Sequence, residues 1–270
     1  MLKAKNQPIG IFDSGIGGLT VTKEIVKKLP NESIIYLGDT ARVPYGTRSK
    51  EVVTKFALEL SDFLLKRGVK CLVVACNTIS SVALKEIEKI SKVPVIGVVK
   101  PAVKRAIQST KSKKIGVIGT QGTIQSKAYE NEISRIDPEI KVVSVGCPLF
   151  VPLAEEGLHK HKATKLVAKD YLKEIIAAKV DTLILGCTHY PLLYETIAET
   201  VGPDVVLIDS ARPTTEELIK MLQDQDLLAE TSHPTYEFLV TDAPERVYRV
   251  AGRFFGEAIN GRLKKISLNN

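Results

Sequence analysis

Cys76 and Cys187 occupy matching sequence contexts. Leu72-Val73-Val74-Ala75-Cys76-Asn77-Thr78 and Leu183-Ile184-Leu185-Gly186-Cys187-Thr188-His189 each run from an apolar stretch through a small residue into Cys, then into polar side chains. A thiol at the lip of a strand, where a helix N-terminus follows, is expected to have its pKa drawn from about 8.5 toward neutrality. Two such thiols facing each other across a cleft suit the inversion of a stereocentre. One takes a proton from carbon, the other returns a proton to the opposite face, and the roles exchange in the reverse direction. A metal centre would need more Cys or His nearby, and only His189 is close in sequence. A hydrolase with one Cys nucleophile and a His base would leave the second thiol unexplained. Cys71, starting a strand, and Cys147, before Pro148, read as small buried hydrophobes.

The loop Asp13-Ser14-Gly15-Ile16-Gly17-Gly18 is a second candidate. It opens a helix, and its N–H groups suit an anion. Neither the P-loop Gly-Lys-Ser/Thr nor a full G-x-G-x-x-G is present, and a leading Asp would repel phosphate. The pairing of Asp13 and Ser14 with open N–H groups fits a small molecule carrying both an ammonium and a carboxylate. The glycines alone read equally well as a tight turn needing space. No nicotinamide fingerprint, metal spacing or pyridoxal-lysine pattern is found.

These residues need elements to hold them. Short Val/Ile-rich runs at Ile9–Asp13, Ile34–Leu37, Lys70–Ala75, Val93–Val99, Lys114–Gly119, Ile140–Val145, Thr182–Gly186, Val205–Asp209 and Thr235–Val240 read as strands buried on both faces. Amphipathic stretches separate them. In Glu51–Arg67, Val52, Phe56, Leu60, Phe63 and Leu64 recur at helical spacing before a stop at Gly68, and Lys162–Ala178 repeats the pattern with Leu166, Tyr171 and Ile175. The alternation predicts an α/β fold with parallel sheets covered by helices. Ile9–Gly15 resembles Ile115–Gly122, which with the two cysteine segments makes a weak internal repeat. Two similar parallel-sheet, flavodoxin-like lobes follow, with the active site in the cleft between them. Residues 1–99 and a returning 210–270 are expected to form one lobe and 100–209 the other. In open parallel sheets ligands bind beyond the carboxyl ends of strands. Asp13, Ser14, Asp39, Cys76, Asn77, Thr78, Thr120, Cys187, Thr188 and His189 all fall there.

Composition is compatible with this. The 270 residues are 44% hydrophobic and 26% charged, which excludes disorder, collagen and coiled coil. Four scattered cysteines do not make a disulfide scaffold, so they read as reduced thiols of a cytoplasmic protein. The net charge of +7 could serve anionic ligands, but no basic run is interleaved with aromatics and there is no Trp, which speaks against nucleic acid. Lys111–Lys114 and Arg262–Lys265 read as solvated helix ends or tails. No apolar stretch approaches the roughly 20 residues of a membrane helix, and with polar Asn6-Gln7-Pro8 reached before any apolar run a signal peptide is not expected.

Four segments together resemble the glutamate racemases: Phe12–Leu19, Gly38-Asp39-Thr40-Ala41-Arg42-Val43-Pro44-Tyr45-Gly46, Ala75–Thr78, and Leu185–Leu192 with its Thr188-His189-Tyr190-Pro191-Leu192 run. Gly119–Thr123 and Ile208-Asp209-Ser210 add to the resemblance, which extends from the first strand to at least Ser210. It implies an isomerase that interconverts L- and D-glutamate without a cofactor or metal and supplies D-glutamate for peptidoglycan, with a homodimeric assembly. It also implies that Cys76 and Cys187 exchange the proton, and that Asp13 assists one and His189 the other. Glu155 matches a further assisting acid, with Glu156 beside it as the competing assignment. Substrate contacts are expected from Asp13, Ser14, Tyr45, Gly46, Asn77, Thr78, Thr120, Thr123, Thr188 and His189. Asp39 matches a position near the site.

A carbon held between two sulfurs keeps them beyond disulfide geometry, so Cys76 and Cys187 are expected to be unbridged. Some relatives carry an N-terminal extension that binds a cell-wall precursor; about eight residues precede the first strand here, so that regulation is not expected. The competing readings are an aspartate or hydantoin racemase, a nonenzymatic anion- or nucleotide-binding module, and a DNA-associated protein.

Overall fold

The computed structural model describes residues 2–230, 233–242, 245–256, 259 and 262–268. Its strands are β1 (Ile9–Asp13), β2 (Ile34–Gly38), β3 (Cys71–Val74), β4 (Val95–Gly97), β5 (Lys114–Gly119), β6 (Lys141–Gly146), β7 (Thr182–Gly186), β8 (Val206–Ile208), β9 (Tyr236–Val240) and β10 (Leu263–Lys265). They form two sheets, ordered β10-β9-β2-β1-β3-β4 and β6-β5-β7-β8. Each strand pair is parallel. The two lobes are thus both α/β, as the alternation predicts.

The internal repeat is visible in the strand orders. The run β2-β1-β3-β4 in one sheet has the same pattern as β6-β5-β7-β8 in the other. In each, the chain leaves the first strand to one side and returns on the other. That reversal opens a crevice at the carboxyl ends, between β1 and β3 and between β5 and β7. Cys76 follows β3 and Cys187 follows β7, so the thiols occupy equivalent places. All five residues of β1 and of β7 are buried. Apolar clusters lie on both faces of each sheet, with Ile9, Ile11 and Val73 on one face of the first and Phe12, Leu72 and Val74 on the other.

The helix Lys50–Lys66 shows how local sequence sets an element. Ser49 caps its N-terminus by accepting from Val52 N–H, and Gly68 lies just beyond its end at φ +73°. Its fully covered stripe is Val53, Ala57, Leu60 and Leu64 rather than one centred on Val52 and Phe56. Each buried Leu there contributes on the order of 2 kcal/mol of transfer free energy. The predicted Lys162–Ala178 helix is two helices, Lys162–Tyr171 and Lys173–Ala177, broken at Leu172. Leu166 is 68% exposed, so it belongs to the outer face. Arg262–Lys265 is not a tail. Leu263 is buried and the segment pairs with β9, completing the edge of the first sheet.

Candidate active site

The two crevices face one cavity of about 220 Å³. From the first sheet and its loops it is bordered by Ser14, Tyr45, Gly46, Cys76, Asn77 and Thr78, and from the second by Thr120, Glu155, Cys187, Thr188 and His189. Both thiols therefore reach the same space, and all four cysteines are free. Asp13 and Thr123 are one layer behind. Asp13 is fully buried and accepts Gly15 N–H at 3.0 Å. Thr123 sits against Thr78 and Thr120, with oxygen separations of 3.3 and 3.0 Å, while Thr78 and Thr120 are 2.9 Å apart. This cluster of hydroxyls joins the two lobes at one end of the cavity and can present donors to a carboxylate.

The two thiols have unlike surroundings. Cys76 occupies the N-cap position of the helix Asn77–Val82 without a side-chain capping bond, and its Sγ donates to Ser14 Oγ at 3.3 Å. Burial pushes this thiol up to about 12, with the charge of Asp13 adding to the effect and the Ser14 and Ile79 contacts opposing it. The expectation of a thiol drawn toward neutrality by its helix fails here, because desolvation outweighs a six-residue helix. Asp13 is itself raised, chiefly by burial, and partly held down by His189 and by the Gly18 and Gly15 N–H groups. Its Oδ1 is buried with no partner among the described residues.

Cys187 leads into a 3-10 turn, Tyr190–Leu193, rather than an α-helix. Its Sγ is 3.9 Å from His189 Nδ1, and His189 Nε2 is 3.1 Å from Glu155 Oε1. Burial works against the imidazolium, yet the contacts with Cys187 and Glu155 prevail and raise His189 to about 10. An imidazolium thus sits beside one sulfur and a carboxylate beside the other. Of the two adjacent acids, Glu155 borders the cavity and Glu156 caps the end of its helix.

Gly17 is required by space. A Cβ there would come within 2.3 Å of Thr188 Oγ1 and 2.6 Å of His189 Cε1. Gly46 is equally confined, since a Cβ would meet Thr120 Cβ at 2.6 Å. Neither has a left-handed φ. The Gly-rich loop therefore lets the first lobe approach the His189 turn; the phosphate-cradle reading finds no support in its packing. Asp39 lies outside the cavity lining and anchors it. Its carboxylate accepts from Arg42 Nε at 2.6 Å, Thr241 Oγ1 at 2.8 Å and the Tyr45 hydroxyl, holding the Tyr45-Gly46 loop in place.

Sequence reading missed one wall. Val247 and Val250 of the helix Glu245–Phe255 and Val151 border the cavity. Phe254 packs edge-on against His189 at 5.0 Å, and Arg253 donates to the Glu155 carbonyl. The i, i+3, i+7 spacing of Val247, Val250 and Phe254 signals an amphipathic helix but not where its apolar face lands.

Two parallel α/β lobes, each offering a lone cysteine at its switch point, define the class. The sequence profile of the Asp/Glu/Hydantoin racemase family matches residues 9–218, and the chain belongs to that family. The chain is 51% identical to the glutamate racemase of Geobacter metallireducens over 96% of both chains. It is also similar to the crystal structure of a glutamate racemase from Francisella tularensis in complex with D-glutamate, with TM-score 0.93, 42% identity and coverage of 98% of this chain and 99% of the other. A glutamate racemase isoform from Bacillus anthracis superposes with TM-score 0.94 at 42% identity, covering 98% of each chain.

Proposed function

We propose that this chain is a glutamate racemase, an isomerase that interconverts L- and D-glutamate by proton transfer between substrate and two thiols, without a cofactor. The observation that carries the reading is the pair of free cysteines at equivalent switch points on the walls of one cavity. In it, Cys187 is the thiolate that takes the α-proton of L-glutamate, supported by the His189 imidazolium, which Glu155 holds in turn. Cys76 is the thiol that returns a proton to the opposite face. Turnover leaves Cys76 as thiolate and Cys187 as thiol, the form that accepts D-glutamate.

The α-proton is a very weak acid and a thiolate a modest base, so the site has to stabilise the carbanion. Asn77, Thr78 and Thr188 offer donors for the α-carboxylate as charge flows into it. Asp13 and Ser14 suit the ammonium. Thr120, Thr123, Tyr45 and Gly46 line the remainder of the binding surface or support it. Closure of the lobes excludes water and strengthens each contact.

The same reading divides the chain into lobes of 1–99 with 210–270 and of 100–209; the pairing of β9 with β2 supports it. A homodimer, cytoplasmic residence and supply of D-glutamate for peptidoglycan belong to the reading and rest on the family alone. Among the described residues no helix is long and apolar enough to cross a membrane. The test is circular dichroism of D-glutamate with purified protein and no added cofactor. Loss of ellipticity to zero is expected, with aspartate turned over far more slowly. A stable D-glutamate signal refutes the reading.

A further inference from the structure

Two side chains with no part in those proton transfers converge on Asn77. The Tyr129 hydroxyl donates to Asn77 Oδ1 at 2.6 Å, and Ser210 Oγ donates to the same oxygen at 3.0 Å. Tyr129 is 2% exposed and Ser210 4%. They come from separate stretches of chain, the helix Ala128–Ile136 and the residue before the helix Ala211–Asp224. Asn77 itself follows Cys76 and borders the cavity.

A carboxamide oxygen has two lone pairs, and here both are taken. Asn77 Nδ2 is buried and has no partner among the described residues. A buried amide N–H without a partner is costly unless a ligand meets it. We infer that Tyr129 and Ser210 are positioning residues which, by filling Asn77 Oδ1, fix the carboxamide so that Nδ2 donates to the α-carboxylate of the substrate. The inference rests on the racemase reading and deepens it. A rotated carboxamide would set an oxygen against a carboxylate that gains charge in the transition state. The donors must also be dependable. Burial raises the Tyr129 phenol, so it keeps its proton throughout the working pH range. Asn77, Tyr129 and Ser210 bring the segment after β3, the helix Ala128–Ile136 and the segment after β8 to one atom, so the orientation is set only when the two lobes are correctly assembled.

The test is a double-mutant cycle on glutamate racemisation with Tyr129→Phe, Ser210→Ala and Asn77→Ala. Tyr129→Phe keeps the ring and removes only the donor. In the native background it is expected to lower kcat/KM about tenfold, with most of the loss in kcat, and Ser210→Ala to act in the same sense. In the Asn77→Ala background neither change should lower kcat/KM further, because the atom through which they act is gone. Equal losses in both backgrounds, or no loss in either, overturn the inference. A second readout does not need turnover. The Asn77 side-chain amide pair, assigned in a proton–nitrogen NMR spectrum by its disappearance in Asn77→Ala, should shift in Tyr129→Phe; an unmoved pair overturns the inference. An inactive native protein whose Asn77 amide does shift would refute the racemase reading and leave the positioning geometry standing.

Discussion

Replacing Glu155 by Gln removes one of the two contacts that keep His189 protonated. The Glu155 Oε1 to His189 Nε2 distance is 3.1 Å; at an effective dielectric near 20 two unit charges at that separation attract by about 5 kcal/mol. The Glu155 side chain is 26% exposed, and solvent screening reduces the attraction to about 1.5–2.5 kcal/mol, or one to two pKa units. His189 stands at about 10 in the native site, so in Glu155→Gln it should titrate near about 8–9. The assay is the pH dependence of kcat/KM in both directions, with His189 followed by NMR. The alkaline limb should move down by the same one to two units. L- and D-glutamate have equal free energies, so the equilibrium constant is 1 and kcat/KM must fall equally for both; only kcat and KM taken singly can differ. Stability follows with a defined sign. His189 is raised above its ordinary 6.5, so its contribution is complete below that value and lost as pH rises through about 10. The variant should therefore unfold at lower denaturant than the parent at pH 7, and the two should converge at about pH 11. An alkaline limb within about half a unit of the parent's, with His189 still titrating near 10, refutes the argument that Glu155 holds the imidazolium.

Cys76→Ser and Cys187→Ser should each lower racemisation by at least about a thousandfold, since a serine hydroxyl neither accepts nor returns the proton near neutral pH. In deuterium oxide Cys187→Ser should still exchange the α-proton of D-glutamate and Cys76→Ser that of L-glutamate; exchange of both enantiomers by either variant rules out one thiol per face. Gly17→Ala drives a methyl into Thr188 and His189. It should cost about a hundredfold in kcat/KM with only a small drop in thermal midpoint, and native kinetics would show that the loop is not confining the site. Lys70 and Glu32 form an ion pair with side chains 1% and 2% exposed, and Lys70 also donates to the Lys5 and Leu227 carbonyls. Lys70→Met leaves the buried Glu32 carboxylate without a cation, with only Ala229 N–H still donating to it, and should cost about 3–5 kcal/mol by denaturant unfolding; Lys70→Met/Glu32→Leu should recover only part of it, because Ala229 N–H and the Lys5 and Leu227 carbonyls stay unpaired. A loss below about 1 kcal/mol in the single variant would contradict a dry pair.

Much of the fold was legible because buried parallel strands write themselves as Val/Ile runs. Ile9–Asp13, Lys114–Gly119 and Thr182–Gly186 are found at the predicted bounds. Leu263–Lys265 was not legible, since an edge strand buries one side chain and leaves Lys264 and Lys265 in water, the pattern of a charged tail. The break at Leu172 was hidden for a different reason. Neither Gly nor Pro marks it, and apolar periodicity continues through Tyr171 and Ile175 into the next helix. At the site, strand ends named the wall residues well, because the position after a parallel strand is fixed by the strand. Partners reached across the fold were beyond that rule. The carboxylate of Glu155 meets His189 from 34 residues away, and Val247 and Val250 arrive from the far end of the chain.

The repeat explains why two thiols face one cavity; it does not make them equivalent. Asp13 ends β1 in the first lobe, while the corresponding place at the end of β5 holds Gly119. His189 follows Cys187 by two residues, while Thr78 holds that place after Cys76. One sulfur thus has a buried carboxylate for a neighbour and the other an imidazolium. Under the two-thiol reading this asymmetry favours the thiol form at Cys76, which burial and Asp13 both push up. A racemase with an equilibrium constant of 1 nevertheless needs both forms within reach. The substrate can supply the balance. Under that reading its ammonium, at Ser14 in front of the buried Asp13, offsets part of the charge that helps push Cys76 up, and so eases formation of a thiolate there in the complex. Cys76 is then best able to carry a thiolate when glutamate is bound, which is when the proton has to pass from one face to the other.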